Sequence, residues 1–207
     1  PSGKTDYSAR VYRLDPQGRV TMFPREHNID VWVSWCGVTP DGNTLAFATS
    51  DYTPGPERRF QDNFYAYDTR TGALRWSLNL PTVPPYDRTN MRFGPEISAD
   101  GQVYGGVSAD GRAFLVNDAG QWLWSRTLSA PQLIQGIYVN ATGLHVRHVG
   151  EFAAFSTGNT YNRANWQLPT PVEHPQNNSV FVFDRGGNFV KRRQLGGMVE
   201  EMLAVRK

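Results

Sequence analysis

The amino-acid sequence predicts an all-β fold. Two turn patterns alternate along the chain, each with strand-like runs on both sides, and no segment shows the sustained apolar period of about 3.6 residues that predicts a helix. The composition agrees, because 20 Gly and 14 Pro among 207 residues suit many short strands joined by tight turns. With 39% hydrophobic and 13% aromatic residues, the chain has ample apolar surface for a packed core.

The first turn pattern is an apolar run followed by aspartate and, two to four residues later, by glycine. Its four copies occupy residues 15–18, 68–72, 118–120 and 184–187. The aspartate side chain bonds the turn backbone and glycine takes the positive φ that the turn needs, so each copy predicts a β-hairpin. The position four residues after each glycine holds, in chain order, Met22, Trp76, Trp124 and Lys191.

The second turn pattern also predicts hairpins, at residues 38–42, 97–101 and 139–143. Since the two patterns alternate, each pair supplies four antiparallel strands, which is one blade of a β-propeller. The glycines of the first pattern follow one another at intervals of 54, 48 and 67 residues, whereas a propeller blade takes about 40 to 50 residues. The last interval therefore contains an insertion, and the polar, proline-broken segment 157–179 is predicted to be a long loop.

These repeats predict a single propeller domain, or a segment of one, over residues 1–207. The predicted blade pieces are residues 9–23, 31–80, 93–129 and 136–195, with a lone terminal strand at residues 198–205. This is a partial propeller of about four blades of four antiparallel strands, in which the first blade lacks its first hairpin. Either the terminal strand completes that blade in a small four-bladed ring, or the remaining blades lie in further sequence. We favour the second reading, and the opening Pro1-Ser2-Gly3, without an initiator Met, is typical of a processed or excised chain.

One repeat carries a family resemblance. Residues Tyr65–Trp76 read Tyr-Ala-Tyr-Asp-Thr-Arg-Thr-Gly-Ala-Leu-Arg-Trp. This stretch resembles the PQQ-type propeller repeat, whose core is Ala-x-Asp-x-x-Thr-Gly-x-x-x-Trp, and Asn117–Trp124 resembles a shortened copy of it. In that family the final tryptophan docks against the neighbouring blade. The resemblance therefore implies structural, blade-docking roles for six residues, namely Asp68, Gly72, Trp76, Asp118, Gly120 and Trp124.

The PQQ-type family contains quinoprotein dehydrogenases and non-catalytic scaffolds such as the outer-membrane assembly lipoprotein. The dehydrogenases use a vicinal disulfide against the quinone and an aspartate base beside Ca²⁺, but this chain has one cysteine, Cys36. The resemblance thus implies a non-catalytic scaffold in a periplasmic or extracellular complex, without a cofactor. Its partner would be another protein or the remaining blades. The alternatives are a fragment of a quinoprotein-like or arylsulfotransferase-like enzyme and a ligand-binding sensor domain.

The sequence predicts no catalytic or metal-binding residues. The four histidines are dispersed, and His145 and His148 are expected on opposite faces of one strand, where they could not share a metal ion. Cys36 lies in an apolar run and is expected to be buried. The net charge of +2 comes from scattered Lys and Arg, so nucleic acid is not an expected partner. No apolar stretch approaches the roughly 20 residues that a membrane-spanning segment requires.

The insertion carries the one interaction surface that the sequence predicts. Tyr161, Arg163 and Trp166 lie in a polar segment, where core packing gives little reason for large side chains. Aromatic residues beside arginine are typical of interface anchors, so these three residues form a candidate interaction loop. The alternative is that the loop folds back over the domain and buries them.

Overall fold

The computed structural model describes residues 12–22, 32–50, 64–81, 83–86, 91–134, 136–161 and 173–197, together with Val199 and Met202. These residues form fifteen antiparallel strands in four sheets, and none of them lies in a helix. The prediction of an all-β fold is therefore confirmed. Of the predicted terminal strand at residues 198–205, only Val199 and Met202 are among the described residues.

Each sheet is numbered here as a blade, in chain order. Blade 1 is a hairpin of β1 (Tyr12–Leu14) and β2 (Val20–Met22). Blade 2 contains β3 (Trp32–Val38), β4 (Thr44–Ser50), β5 (Phe64–Asp68) and β6 (Leu74–Leu78). Blade 3 contains β7 (Met91–Ile97), β8 (Val103–Ser108), β9 (Arg112–Asn117) and β10 (Trp122–Thr127). Blade 4 contains β11 (Gln132–Ile134), β12 (Ile137–Val149), β13 (Phe152–Tyr161), β14 (Ser179–Asp184) and β15 (Phe189–Gln194). Within each blade the strands pair in chain order.

Burial follows from the position of each blade in the stack. Blade 3 has a blade on either side, and nearly every residue of its central strands β8 and β9 is buried. One buried apolar cluster lies between blades 2 and 3, and a second lies between blades 3 and 4. By contrast, β15 is exposed throughout. The core therefore sits between the blades, where apolar faces of neighbouring sheets meet.

One predicted hairpin is wrong. Residues 139–143 lie inside the 13-residue strand β12, and the chain turns instead at Gly150, which has φ +59°. In the two real turns of this pattern, Asp41 and Asp100 accept backbone N–H groups through their carboxylates. Thr142 offers no carboxylate at the matching position, so the local chemistry that closes the other two turns is missing.

Two predicted connections are shorter than expected. β13 continues to Tyr161, so the first five residues of the predicted loop 157–179 belong to a strand, and Thr157, Thr160 and Tyr161 pair with β12. Their polarity is accommodated because Thr157 Oγ1 accepts the Ser179 N–H at the start of β14. Residues 162–172 of this loop lie outside the described residues. The connection between blades 2 and 3 also ends earlier, because β7 begins at Met91 whereas the third blade piece was predicted to begin at residue 93.

Cys36 is exposed, which contradicts the prediction that it is buried. The indole of Trp35 donates to the backbone of blade 3, and a Cβ on Gly37 would meet Pro95 and Ile97 of the same blade. Because successive side chains of a strand alternate between faces, Cys36 points the other way, toward blade 1. Blade 1 is described as a two-stranded hairpin only, and none of its described strands covers the thiol.

Candidate functional site

The turns that precede the last strand of blades 1, 3 and 4 share one geometry. They span residues 15–18, 117–120 and 184–187, and in each the glycine N–H donates to the carbonyl of the first turn residue, at 2.9, 3.0 and 3.0 Å respectively. The side-chain oxygen of that first residue accepts an N–H from within the turn or from the residue that follows it. In blade 3 the first residue is Asn117, so the prediction that the Asp118 side chain bonds this turn is wrong. The turn begins one residue earlier than expected because Gly120 bonds the Asn117 carbonyl.

Trp76 of β6 lies against the 117–120 turn of blade 3. Its Nε1–H donates to the Asp118 carbonyl over 2.9 Å. The half-buried ring covers Gly120, where a Cβ would come within 2.7 Å of Trp76 Cγ. Since Gly120 also has φ +77°, glycine is needed both for the turn and for the approach of the indole. Trp76 thus connects blade 2 to blade 3.

Trp124 of β10 makes the same contact with blade 4. Its Nε1–H donates to the Arg185 carbonyl over 3.0 Å, and a Cβ on Gly187 would lie 2.6 Å from Trp124 Cγ. The ring is only 6% exposed and packs against Phe155 and Phe183, with centroids at 5.6 and 5.4 Å. In both junctions the acceptor carbonyl belongs to the second residue of the turn. The two tryptophan contacts are therefore equivalent.

The junction between blades 1 and 2 uses the same acceptor position with a different donor. The Arg13 guanidinium donates to the Thr69 and Arg70 carbonyls, at 3.4 and 3.3 Å. Thr69 is the second residue of the 68–72 turn, which begins at Asp68 and has one residue more than the other three. The second turn residue thus receives a donor from the preceding blade at all three described junctions.

The turn carboxylates are held as anions. The Thr71 N–H and the Arg75 guanidinium hold the pKa of Asp68 well below its usual range. Hydrogen bonds lower the pKa of Asp41 to about 2, and the Thr39 hydroxyl has the largest effect and the Asn43 N–H the second largest. Acids this strong carry no proton to donate near neutral pH, so these groups stabilise turns and do not form an acid–base pair.

A second group of side chains joins β3 of blade 2, β7 of blade 3 and β12 of blade 4, and we name it the inner-strand cluster. It consists of Trp35, Phe93, Glu96, His145 and Arg147. The Phe93 ring lies 4.7 Å from Trp35 and 4.9 Å from His145 between centroids, with the Arg147 Cζ at 5.5 Å. Arg147 Nη1 also pairs with Glu96 Oε2 at 2.9 Å. Sequence analysis did not identify this cluster, because its members come from three strands that only the fold brings together.

The inner-strand cluster combines aromatic rings with an arginine–glutamate ion pair. Burial raises the pKa of Glu96, while the Arg147 guanidinium acts in the opposite direction. Because this carboxylate is already paired, it does not stand free to act as a base. Trp35 keeps 49% of its surface exposed although its Nε1–H donates to the Arg92 carbonyl. The cluster therefore suits contact with another molecule better than it suits chemistry.

Two histidines form part of the packing between elements. The buried His174 donates from Nε2 to the Ala130 carbonyl over 2.8 Å, and His148 donates from Nε2 to the Glu96 carbonyl over 3.0 Å. Burial lowers the pKa of both, and that of His148 falls to about 4. Both rings are therefore neutral hydrogen-bonding groups at pH 7. His27 lies outside the described residues.

The predicted interaction loop is described only at its first residue. Tyr161 ends β13 opposite Asn140, whereas its side chain, Arg163 and Trp166 lie outside the described residues. Their role stays a prediction. Among the residues that are described, no three His, Cys, Asp or Glu side chains are placed to hold one metal ion. No helix in that part of the chain is long and apolar enough to cross a membrane.

Comparison with known proteins identifies the fold. No protein-family model and no curated protein matches the chain. Among solved structures, the β-propeller domain of Myceliophteria thermophila Cps50 (Swd1) is similar, with a TM-score of 0.54 and 13% identity over 93% of this chain and 54% of that one. Kluyveromyces lactis Hsv2 gives a TM-score of 0.55 and 11% identity, over 91% of this chain and 57% of that one. The fold is therefore a β-propeller, and the chain spans about half the length of these structures.

Proposed function

We propose that this chain is a non-catalytic β-propeller scaffold that binds another protein within a larger complex. The observation that carries this proposal is the apolar surface left open on blade 1. Tyr12, Leu14 and Val20 are 57%, 69% and 64% exposed on a hairpin of only two described strands. Apolar side chains on a strand edge that no described strand pairs favour pairing with another strand, so this hairpin is a surface for association.

The other end of the stack has the same character. In β10, Trp124 is buried because it docks on blade 4, whereas β15 has no buried residue at all. Phe189 and Val190 are exposed on β15. Lys191 occupies the position at which blades 2 and 3 carry their docking tryptophans. Both ends of the stack thus present strands that no described residue covers.

The comparisons support the class of function. The similar structures are WD40 β-propellers, a fold widely used as a protein-interaction scaffold. The turn carboxylates are hydrogen-bonded within their turns and Glu96 is paired with Arg147, which agrees with a role in binding. The proposal extends to a PQQ-type propeller in the periplasm or outside the cell, and this part depends on the resemblance of residues 65–76. It also excludes nucleic acid as a partner, and this part depends on the scattered basic charge.

Hydrogen exchange of the chain alone and within its native complex tests the proposal. We expect the amides of residues 12–22 and 189–194 to exchange rapidly in the isolated chain and to become protected in the complex. The amides of β9 serve as the internal control, because that strand is buried in the chain itself and its exchange should not change. Equal exchange at both ends in the two samples would contradict the proposal.

A further inference from the structure

Three turns of the chain are built alike, and two of them are occupied. The glycines of the turns at 15–18, 117–120 and 184–187 have φ values of +79°, +77° and +78°. In each turn the first residue also donates its N–H to the carbonyl of the residue after the glycine, at 3.1, 2.9 and 3.1 Å. The backbone of the first turn thus matches that of the two turns that accept an indole.

On the first turn, no side chain of the described residues lies at the matching place. A Cβ on Gly120 or Gly187 would meet an indole within 3 Å, but no atom among the described residues lies within 4 Å of that position on Gly18. The carbonyl equivalent to the two indole acceptors belongs to Pro16. The turn is already ordered by its own bonds, since Asp15 accepts the Gln17 and Arg19 N–H groups. A ligand would therefore find this site formed in advance.

We propose that the 15–18 turn is a docking site for a tryptophan carried by a β-hairpin of a second, different polypeptide. The indole would cover Gly18 and donate its N–H to the Pro16 carbonyl, as Trp76 and Trp124 do in their own junctions. The exposed Tyr12, Leu14 and Val20 lie on the strands beside this turn and would pack against the same hairpin. This inference rests on the proposed scaffold function and names the chemistry of its partner.

The docking positions that are described in this chain do not supply the indole from a second copy. The last strand of the chain offers Lys191 at the docking position, and that side chain has no ring to cover Gly18. Trp76 and Trp124 occupy the docking position in their own blades, and both are already engaged within the chain. We therefore assign the aromatic ring and its N–H to a partner other than a second copy.

The decisive variant gives the chain the missing indole. In Lys191→Trp, one copy could dock on the 15–18 turn of the next, so we expect self-association in sedimentation equilibrium to tighten about tenfold, the effect of about 1.4 kcal/mol at an aromatic contact. Adding Gly18→Ala should reverse the gain. Adding Gly42→Ala should not, although Gly42 has a similar φ of +73° and open space around it. No gain, or a gain that Gly18→Ala leaves intact, would overturn the proposal.

Indole binding to the 15–18 turn can also be tested on the unmodified chain, without the Lys191→Trp variant. Titration with N-acetyltryptophanamide should shift the Gly18 amide resonance, while those of Gly120 and Gly187 stay in place because their turns are occupied. N-acetyllysinamide should shift none of them. A Gly18-dependent self-association of the unmodified chain would instead identify a second copy as the occupant and overturn the choice of partner. If native-complex protection appears at residues 12–22 but indole does not bind, only the chemistry of the partner is wrong.

Discussion

At the scale of the residue, the pairing of tryptophan with glycine explains how successive blades are held in place. Trp124 and Gly187 are 63 positions apart in sequence, yet they meet at one junction. The indole needs a residue without a side chain beneath it, and Gly187 meets that need while its turn offers the Arg185 carbonyl to the indole N–H. Each junction therefore combines apolar burial with one directed hydrogen bond.

Replacement of Trp124 should measure how much the buried ring and its hydrogen bond contribute to stability. We expect Trp124→Ala to lower the free energy of unfolding by about 3–5 kcal/mol, since a buried ring is lost. Trp124→Phe should cost about 1 kcal/mol through the lost N–H bond and the smaller ring. Urea denaturation gives these values. Trp122→Ala is the matched control, because Trp122 is 39% exposed in the same strand, and it should cost far less. Similar losses for the two alanine variants would contradict the docking role.

The burial of His148 should make stability depend on pH. Its pKa falls to about 4 from 6.5, so the unfolded chain binds more protons than the folded chain between these values. This contribution is complete above pH 6.5 and is lost as the pH falls toward 4, by about 2 kcal/mol between pH 7 and 4.5. His148→Gln should flatten the change in unfolding free energy over this window. An unchanged slope in the variant would assign the effect to other groups, of which His174 is the first to test.

At the scale of the element, the hairpins decide where the blades meet. A turn such as 117–120 reverses the chain and also presents a carbonyl and an open glycine to the preceding blade. Strand β12 shows the opposite case, in which a sequence that resembles a turn runs straight through. Its neighbour β8 lies close enough that a Cβ on Gly143 would come within 2.7 Å of Val107. Glycine there permits packing between blades, and it makes no turn.

Alanine substitutions at two turn glycines with similar φ distinguish the free-energy cost of backbone strain from the cost of losing the indole contact. Gly42→Ala should destabilise the chain by about 1–2 kcal/mol, because a side chain is strained at φ +73° in open space. Gly187→Ala carries the same strain and also forces a methyl group into the Trp124 ring, so its loss should be at least about 1 kcal/mol larger. Thermal unfolding of both variants measures the difference. Equal losses would show that the indole contact contributes nothing.

At the scale of the whole molecule, the described residues form a stack of blades, and no described strand covers either end of it. Blade 3 is covered on both faces, whereas β1 and β15 are exposed along their length. The similar propellers are about twice as long, and the chain covers 54% and 57% of the two compared above. Strand edges with exposed apolar side chains are the usual origin of self-association.

Self-association of the isolated chain should therefore depend on the end strands. We expect the chain to sediment above its 23.3 kDa monomer mass at micromolar concentration. Leu14→Lys combined with Val190→Lys should return it to the monomer, because charge on an edge opposes pairing. Val83→Lys is the control, since Val83 is exposed in a connection between blades and lies on neither end strand. A soluble wild-type monomer would contradict this prediction and favour a small closed ring.

The sequence alone determined the parts of the fold that depend on neighbours along the chain. The pairing of aspartate with glycine predicted the hairpins at 15–18, 68–72 and 184–187, and their spacing predicted blades, because turn chemistry and strand alternation act over a few residues. The same spacing singled out Trp76 and Trp124. Where the pattern lost its carboxylate, at 139–143, the local reasoning was wrong.

Only the tertiary structure decided which groups meet across blades. It placed the indoles on the carbonyls of Asp118 and Arg185, moved the turn-bonding role from Asp118 to Asn117, and assembled the inner-strand cluster. It also left Cys36 exposed, although the run of residues around it is apolar. The reason is physical: burial depends on whether another blade covers a face, and such contacts join residues far apart in sequence that no local pattern records.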